Sequence, residues 1–159
     1  MMKQFKIILV LLLISMLAGC GTTVYQLHND KCQETTENII KKISMLLIQK
    51  NFNIEQADAD LGLLRASTIP SHTFMVGDIQ RVWTIQVIDT DDPLSPVRKV
   101  IASAKTIIYQ KNGFGQTTGS SETYYDDDAS RDWDWYWDIR NQLEKICGSK
   151  VIIKESKTN

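Results

Sequence analysis

Two long segments with strong strand propensity constrain the fold more than any other part of this 159-residue sequence. Residues 81–89 (RVWTIQVID) and 98–111 (RKVIASAKTIIYQK) are rich in valine, isoleucine, threonine and aromatic residues, which favour strands. The TDDPLSP between them is typical of a turn, so the two segments predict an antiparallel hairpin. Residues 112–121 (NGFGQTTGSS) predict a flexible loop. Further strand candidates lie at residues 24–27, 63–69, 122–125 and 150–155.

Two amphipathic segments predict helices. The first follows a cap at residue 35 or 36 and runs to about residue 50, and the second follows a cap at residue 128 or 130, runs to Ile146 and stops at Gly148. Apolar residues recur at spacings of three and four in both, so each helix has one face to bury. Since one face of the sheet also needs cover, we expect a two-layer α+β domain. Its two helices pack on one face of an antiparallel sheet of three to five strands.

The first nineteen residues predict a secretory signal. Lys3 and Lys6 precede an apolar run, residues 7–17, which is too short for a membrane-spanning helix. The sequence L-A-G-C that follows resembles the lipobox of bacterial lipoproteins. The resemblance implies cleavage after Gly19 and a diacylglyceryl group and fatty acids such as palmitate on Cys20. An ordinary secretory signal, or an uncleaved anchor with a chance cysteine, is the alternative.

The resemblance also implies a location. In Gram-negative lipoproteins an aspartate after the lipidated cysteine favours the inner membrane, and here that residue is Gly21. We therefore expect a lipid anchor in the outer membrane, with the protein facing the periplasm. In a Gram-positive host it would lie on the outer face of the cell membrane. The expected organisation is a signal peptide (1–19), a lipidated lead (20–31), one α+β domain (32–155) and a frayed tail (156–159).

Charge argues against nucleic acid as a partner. The chain has 18 basic and 19 acidic residues, and two of the basic ones, Lys3 and Lys6, leave with the signal. The mature protein then carries a net charge of about −3, whereas nucleic-acid binding needs a basic surface. We expect the lipid on Cys20, rather than the protein surface, to hold the protein at the membrane.

The two cysteines that remain after lipidation predict a disulfide. The compartment that the signal implies is oxidising, so Cys32 and Cys147 are expected to pair, with two separate buried thiols as the alternative. The first precedes helix one and the second ends helix two. A bond between them requires antiparallel helices, and it places the start of the second helix beside Asn51 and Phe52.

No group of residues predicts catalysis, a cofactor or a metal. His28 and His72 have no partners at ligand spacing and are expected to be solvated loop residues. The acidic clusters at residues 89–92 and 126–134 supply oxygen atoms for calcium, but turns and a helix N-terminus explain them without a metal. A hydrolase acting on envelope glycans through residues 126–128 is a remote alternative.

The stretch DWDWYWD, residues 132–138, holds three of the four tryptophans. On a helix, Trp135 and Tyr136 share the apolar face, whereas Trp133, Trp137 and Arg140 lie on a neighbouring one. Four large rings cannot all face one sheet, so at least one of Trp133 and Trp137 should be partly exposed. Clustered surface aromatic residues often bind proteins or sugars, which makes Trp133, Trp137 and Arg140 candidates for partner binding. Packing beneath the neighbouring loop is the alternative.

Residues 35–110, with the polar turn before Gly62, also resemble helix-grip domains of envelope lipoproteins. One such protein is the C subunit of the outer-membrane barrel-assembly machine. The resulting hypothesis is a non-enzymatic envelope lipoprotein that binds or assembles another envelope component. The alternative is a binder of a small apolar ligand, held between helices and sheet by Trp83, Ile85 and Val87.

Overall fold

The computed structural model describes residues 22–73, 77–90, 97–124 and 134–158. These residues form two helices and one antiparallel sheet of eight strands. The helices are α1 (Thr36–Gln49) and α2 (Asp134–Cys147). The strands are β1 (Thr22–Cys32), β2 (Asn53–Asp58), β3 (Leu63–Ser67), β4 (Ser71–Thr73), β5 (Gly77–Asp89), β6 (Arg98–Lys111), β7 (Thr117–Tyr124) and β8 (Ile152–Thr158).

The α+β class and the two helices are confirmed, but the expected sheet of three to five strands was too small. Residues 22–32, expected to form mainly a lead, make an interior strand between β6 and β8. Part of the expected flexible loop is β7, and β8 continues through Thr158 into the expected tail. Strands β1 and β7 satisfy backbone groups along the open side of β6, and β8 does the same along β1.

The hairpin of β5 and β6 is the centre of the sheet. Its register runs from Asp78 opposite Tyr109 to Asp89 opposite Arg98, so the two strands are paired over almost their full length. Each strand also pairs with two shorter ones on its other side: β3 and β4 along β5, and β1 and β7 along β6. The sheet therefore has a part beneath the helices and a second part, here called the sheet extension. The sheet extension comprises β4, β7 and residues 77–81 and 105–111.

One hydrophobic core joins the helices to the first part of the sheet. Along β5 its members are Trp83, Ile85 and Val87, which alternate with residues of the opposite face. Trp83 lies opposite alanine on both neighbouring strands, at Ala66 and Ala104, so small residues leave room for its ring. The helices contribute Ile39, Ile40, Ile43, Leu47, Tyr136, Ile139, Leu143 and Ile146.

Helix α1 matches its prediction closely. Thr35 is the N-cap, and its hydroxyl oxygen accepts a hydrogen bond of 3.3 Å from the backbone N–H of Asn38. The helix ends at Gln49, with Lys50 as its C-cap. Asn51, with a φ of 63°, then turns the chain, and the N–H of Phe52 donates to the carbonyl of Leu47 at 2.9 Å. No helix in the described part of the chain is both long and apolar enough to cross a membrane.

A disulfide joins Cys32 to Cys147, with a Cα–Cα distance of 4.3 Å, as predicted. The bond holds the start of α1 against the end of α2, so the two helices are antiparallel. At their other ends Lys50 forms an ion pair with Asp138, and the ring of Phe52 lies 5.7 Å from that of Trp135. The expected contact between the tryptophan-rich start of α2 and the end of α1 is therefore confirmed.

Candidate partner-binding site

The first turn of α2 divides its aromatic residues between the core and the surface. Tyr136 is 1% exposed and stacks on Trp83, with 5.4 Å between ring centroids. Trp135 packs edge-on against Trp83 at 5.5 Å and also carries the guanidinium of Arg81 at 5.7 Å from its ring centroid. Trp133 lies outside the described residues. Two of the rings thus serve the core, as the helical spacing predicted.

Trp137 lies at the edge of this cluster. It packs against the core as a partly buried residue, and its ring meets that of Tyr136 edge-on at 5.9 Å. The guanidinium of Arg140 lies 5.0 Å from the Trp137 ring centroid, in a cation–π contact. Tyr136 and Arg140, both on α2, therefore position the Trp137 ring and place a positive charge beside it.

Two acidic residues near this pair form ion pairs. Arg140 also approaches Glu144, one turn further along α2, at 3.9 Å. On the side facing α1, Asp138 is paired with Lys50. The surface at this position therefore consists of the partly buried ring of Trp137 with an ion pair on either side. Of the three predicted partner-binding residues, the structure brings Trp137 and Arg140 together.

The residues suggested for an apolar ligand lie in the core. Trp83 and Ile85 are fully buried and Val87 is 6% exposed. The rings of Trp135 and Tyr136 already contact Trp83 from the helix side. An apolar ligand at this position would have to displace these rings.

A groove at the other end of α2 was missed by the sequence reasoning. It has a volume of about 360 Å³ and is lined by residues of β1, the segment after α2 and the start of β8: His28, Asp30, Lys31, Ser149, Lys150 and Ile152. Asn29 fixes this segment, since its amide nitrogen donates to the hydroxyl of Ser149 at 2.8 Å and to its carbonyl at 3.0 Å. The contact joins residues 120 apart in sequence, which no local pattern indicates.

His28 differs from its prediction. It is a buried residue of β1, 7% exposed, rather than a solvated loop residue. Its Nε2 lies 3.2 Å from Oε1 of Gln26, and its Nδ1 has no hydrogen-bond partner among the described residues. Burial lowers the pKa of the imidazole, and the positive charges of Lys154 and Lys99 lower it further. These surroundings therefore favour the neutral form of His28.

His72 is exposed but belongs to β4. Its Nδ1 lies 3.1 Å from a carboxylate oxygen of Asp78, whose other oxygen is 2.6 Å from Nζ of Lys111. The hydrogen bonds from Lys111 and from His72 lower the pKa of the Asp78 carboxyl. The cluster ties β4, β5 and β6 together across the sheet extension.

The acidic clusters lie largely beyond the described residues. Asp89 is paired with Arg98 at 2.8 Å, whereas residues 91–92 and 126–132 are outside the described ranges. Within those ranges no group of three or more histidine, cysteine, aspartate or glutamate residues is arranged to hold a metal ion. The calcium and hydrolase alternatives stay predictions.

Comparison of the chain with models of protein families, with curated proteins and with solved structures finds no match. The resemblances to the lipobox and to helix-grip domains therefore stay predictions.

Proposed function

We propose that this chain is an envelope lipoprotein, anchored through Cys20, whose α+β domain binds another envelope component without catalysing a reaction. The observation that carries the proposal is the sequence L-A-G-C directly after a short apolar run with a basic start. Cleavage before Cys20 would leave the acyl chains on the first residue of the mature protein. Gly21 at the next position favours the outer membrane, with the domain in the periplasm.

The disulfide supports this compartment. Cys32 is completely buried and Cys147 is 5% exposed, and the two are bonded. Structural disulfides are common in the periplasm and outside the cell and rare in the cytosol. A chain that crosses the membrane behind a signal segment meets the conditions in which this bond forms.

The surface of Trp137 and Arg140 is the proposed contact with the partner. Tryptophan and arginine are the residues most enriched at energetically important interface positions. The contacts of Trp137 with Tyr136 and Arg140 restrict its ring, so less side-chain entropy is lost on binding. The matching partner surface offers an apolar pocket for the ring, beside a carboxylate or carbonyl oxygen for the guanidinium.

Site-specific photocrosslinking in intact cells tests this contact. A photoreactive residue replaces Asn141, which is exposed and one turn from Trp137, and a control replaces Lys41, which is exposed on α1. We expect one defined crosslinked product at residue 141 that is absent at residue 41. Arg140→Ala should lower its yield about tenfold, the effect of losing about 1.4 kcal/mol of binding free energy.

Arg140→Ala leaves the core intact, so its near-ultraviolet circular dichroism should match that of the unmodified protein. The proposal is contradicted if residues 141 and 41 give the same products. It is also contradicted if the product at residue 141 is unchanged when a correctly folded Arg140→Ala protein is used.

A further inference from the structure

The turn between β6 and β7 is ordered around one side chain. The carboxamide oxygen of Asn112 accepts hydrogen bonds from the backbone N–H groups of Phe114 and Gln116, both at 3.0 Å. The backbone N–H of Asn112 donates to the carbonyl of Gln116 at 2.9 Å, and that of Gly115 donates to the carbonyl of Asn112 at the same distance. With a further bond of 3.0 Å from the carboxamide nitrogen of Asn112 to the carboxamide oxygen of Gln116, five hydrogen bonds within five residues hold this tip.

The tip presents an apolar side chain to its surroundings. Phe114 is 92% exposed, more than any other large apolar residue of the described chain. A lone exposed apolar residue is ordinary on a protein surface. Phe114 differs in that it stands at the end of the sheet extension on an ordered turn, beyond the last core residue of β6, Ala104.

The register of the sheet places this tip at the end from which the lipid anchor emerges. Strand β1 is antiparallel to β6, with Gln26 opposite Ser103 and Asn29 opposite Val100. Followed back towards its start, β1 therefore runs in the direction in which β6 runs towards Lys111. Strand β7 occupies the same edge of β6 from Lys105 onward, so β1 leaves β6 after Gln26 and continues beside β8 to Thr22. At a strand rise of ~3.3 Å per residue, the turn at Asn112 is ~30 Å beyond Ser103 in the direction of the start of β1.

Cys20 precedes Thr22 by two residues, a span of at most ~7 Å in extended chain. The start of α1 and the disulfide lie the other way: Arg98, at the opposite end of β6, donates to the carbonyl of Glu34 at 2.9 Å, just before α1. A membrane that holds the lipid of Cys20 therefore faces the tip of the sheet extension rather than the disulfide end of the helices.

The charges next to the tip suit a membrane interface. After the turn, Thr117, Thr118 and Gly119 are uncharged. Before it, Lys111 is neutralised by Asp78 at 2.6 Å. An aromatic residue between uncharged neighbours can enter the boundary between headgroups and acyl chains without burying a charge.

We propose that Phe114 inserts into the interface of the membrane leaflet that holds the Cys20 lipid, so that the domain is attached at two points. The inference rests on the proposed lipid anchor. One phenylalanine binds a bilayer weakly, but the anchor keeps it at a high effective concentration beside the surface. The second contact fixes the orientation of the domain relative to the membrane.

Fluorescence quenching by brominated lipid tests the insertion. The full-length lipidated protein is reconstituted into nanodiscs of phosphatidylcholine, with or without bromine on acyl carbons near the headgroup. The reporter is Phe114→Trp, and the matched control is Ile88→Trp, which is 46% exposed near the other end of β5. We expect bromine to quench at least half of the fluorescence that Phe114→Trp adds to the unmodified protein. It should leave the fluorescence added by Ile88→Trp unchanged.

Equal quenching of both reporters, or of neither, would overturn the proposal. Shielding of the residue 114 reporter from acrylamide in intact envelopes but not in nanodiscs would also overturn it, and would indicate a protein pocket. Mass spectrometry of Cys20 distinguishes a failure of the proposed lipid anchor from a failure of the proposed insertion of Phe114. An unlipidated cysteine overturns the anchor and the insertion together, whereas a lipidated protein without quenching overturns the insertion alone.

Discussion

Removal of the Cys32–Cys147 disulfide is expected to lower the free energy of unfolding by several kcal/mol. The bond joins residues 115 apart, so it restrains most of the domain in the unfolded state. The chain-entropy relation for a loop of this length gives about 5 kcal/mol at 25 °C, and measured values are typically ~2–4 kcal/mol. Because a domain of this size has a total of ~5–15 kcal/mol, we expect a loss of ~3–5 kcal/mol to remove a large part of its stability.

Urea unfolding followed by tryptophan fluorescence measures this loss, because Trp83 is completely buried and contacts Tyr136. The oxidised protein is compared with protein that was unfolded, reduced and refolded in reductant, which keeps both sulfur atoms. The double variant Cys32→Ala, Cys147→Ala lacks the sulfur atoms as well as the bond, so its free energy of unfolding should be lowered further by the lost packing of those atoms. Reductant should not change the variant, which is the control for other effects of the reagent.

The outcome for the reduced protein decides whether the reasoning is correct. A loss below about 1 kcal/mol on reduction would contradict the chain-entropy argument. If the variant alone were destabilised, the bond would act through the packing of its sulfur atoms rather than through the unfolded chain.

Two further perturbations test the turns and the charges of the sheet. Gly62→Ala is expected to lower the free energy of unfolding by at least ~2 kcal/mol, since φ is +61° and the new Cβ would lie 2.1 Å from the Val87 carbonyl oxygen. Gly113→Ala, with no atom within 4 Å of its Cβ, should change it by less than ~0.5 kcal/mol; equal losses in thermal melts would contradict this. The hydrogen bond from Lys111 lowers the pKa of the Asp78 carboxyl below its ordinary 3.8. The ionised carboxylate therefore stabilises the folded protein above pH 3.8, and this stabilisation is lost as the pH falls through the pKa that Asp78 has in the folded protein. The difference in urea midpoint between the unmodified protein and Asp78→Asn should therefore shrink between pH 7 and pH 2, and a constant difference would refute the assignment.

The elements with a strong periodic pattern were predictable from sequence. Ile39, Ile43 and Leu47 recur at helical spacing, and all three are completely buried. The central hairpin was predicted because its two segments are rich in valine, isoleucine, threonine and aromatic residues and are joined by a stretch typical of a turn. The disulfide could be predicted because lipidation of Cys20 would leave only one pair of cysteines.

Strands that depend on distant contacts could not be predicted in full. In β1, Asn29 is 1% exposed although it is polar, because its carboxamide bonds to Ser149 and Lys150, which lie beyond α2. Strand β7 consists mainly of small polar residues and has no apolar face, and it forms by pairing along the second half of β6. A single sequence shows neither the distant residues to which Asn29 bonds nor the strand edge of β6 along which β7 pairs.

The part of the candidate site that depends on local spacing was predictable, and the part that depends on distant contacts was not. The spacing of three between Trp137 and Arg140 predicts a contact on one face of a helix, and the guanidinium does lie over the ring. The groove beside His28 depends on residues at the two ends of the chain. Their proximity follows from the pairing of β1 with β8, which local patterns do not reveal.

The lipid anchor is the central claim, and it is tested most directly by labelling cells with a radioactive fatty acid. Cells that make the unmodified protein are compared with cells that make Cys20→Ser. We expect label on the unmodified protein alone, and we expect the variant to keep residues 1–19 and migrate as a larger precursor. Mass spectrometry of the mature N-terminus should find an acylated, diacylglyceryl-modified Cys20. Equal labelling of the two proteins, or an unmodified Cys20 in the mature chain, would contradict the account.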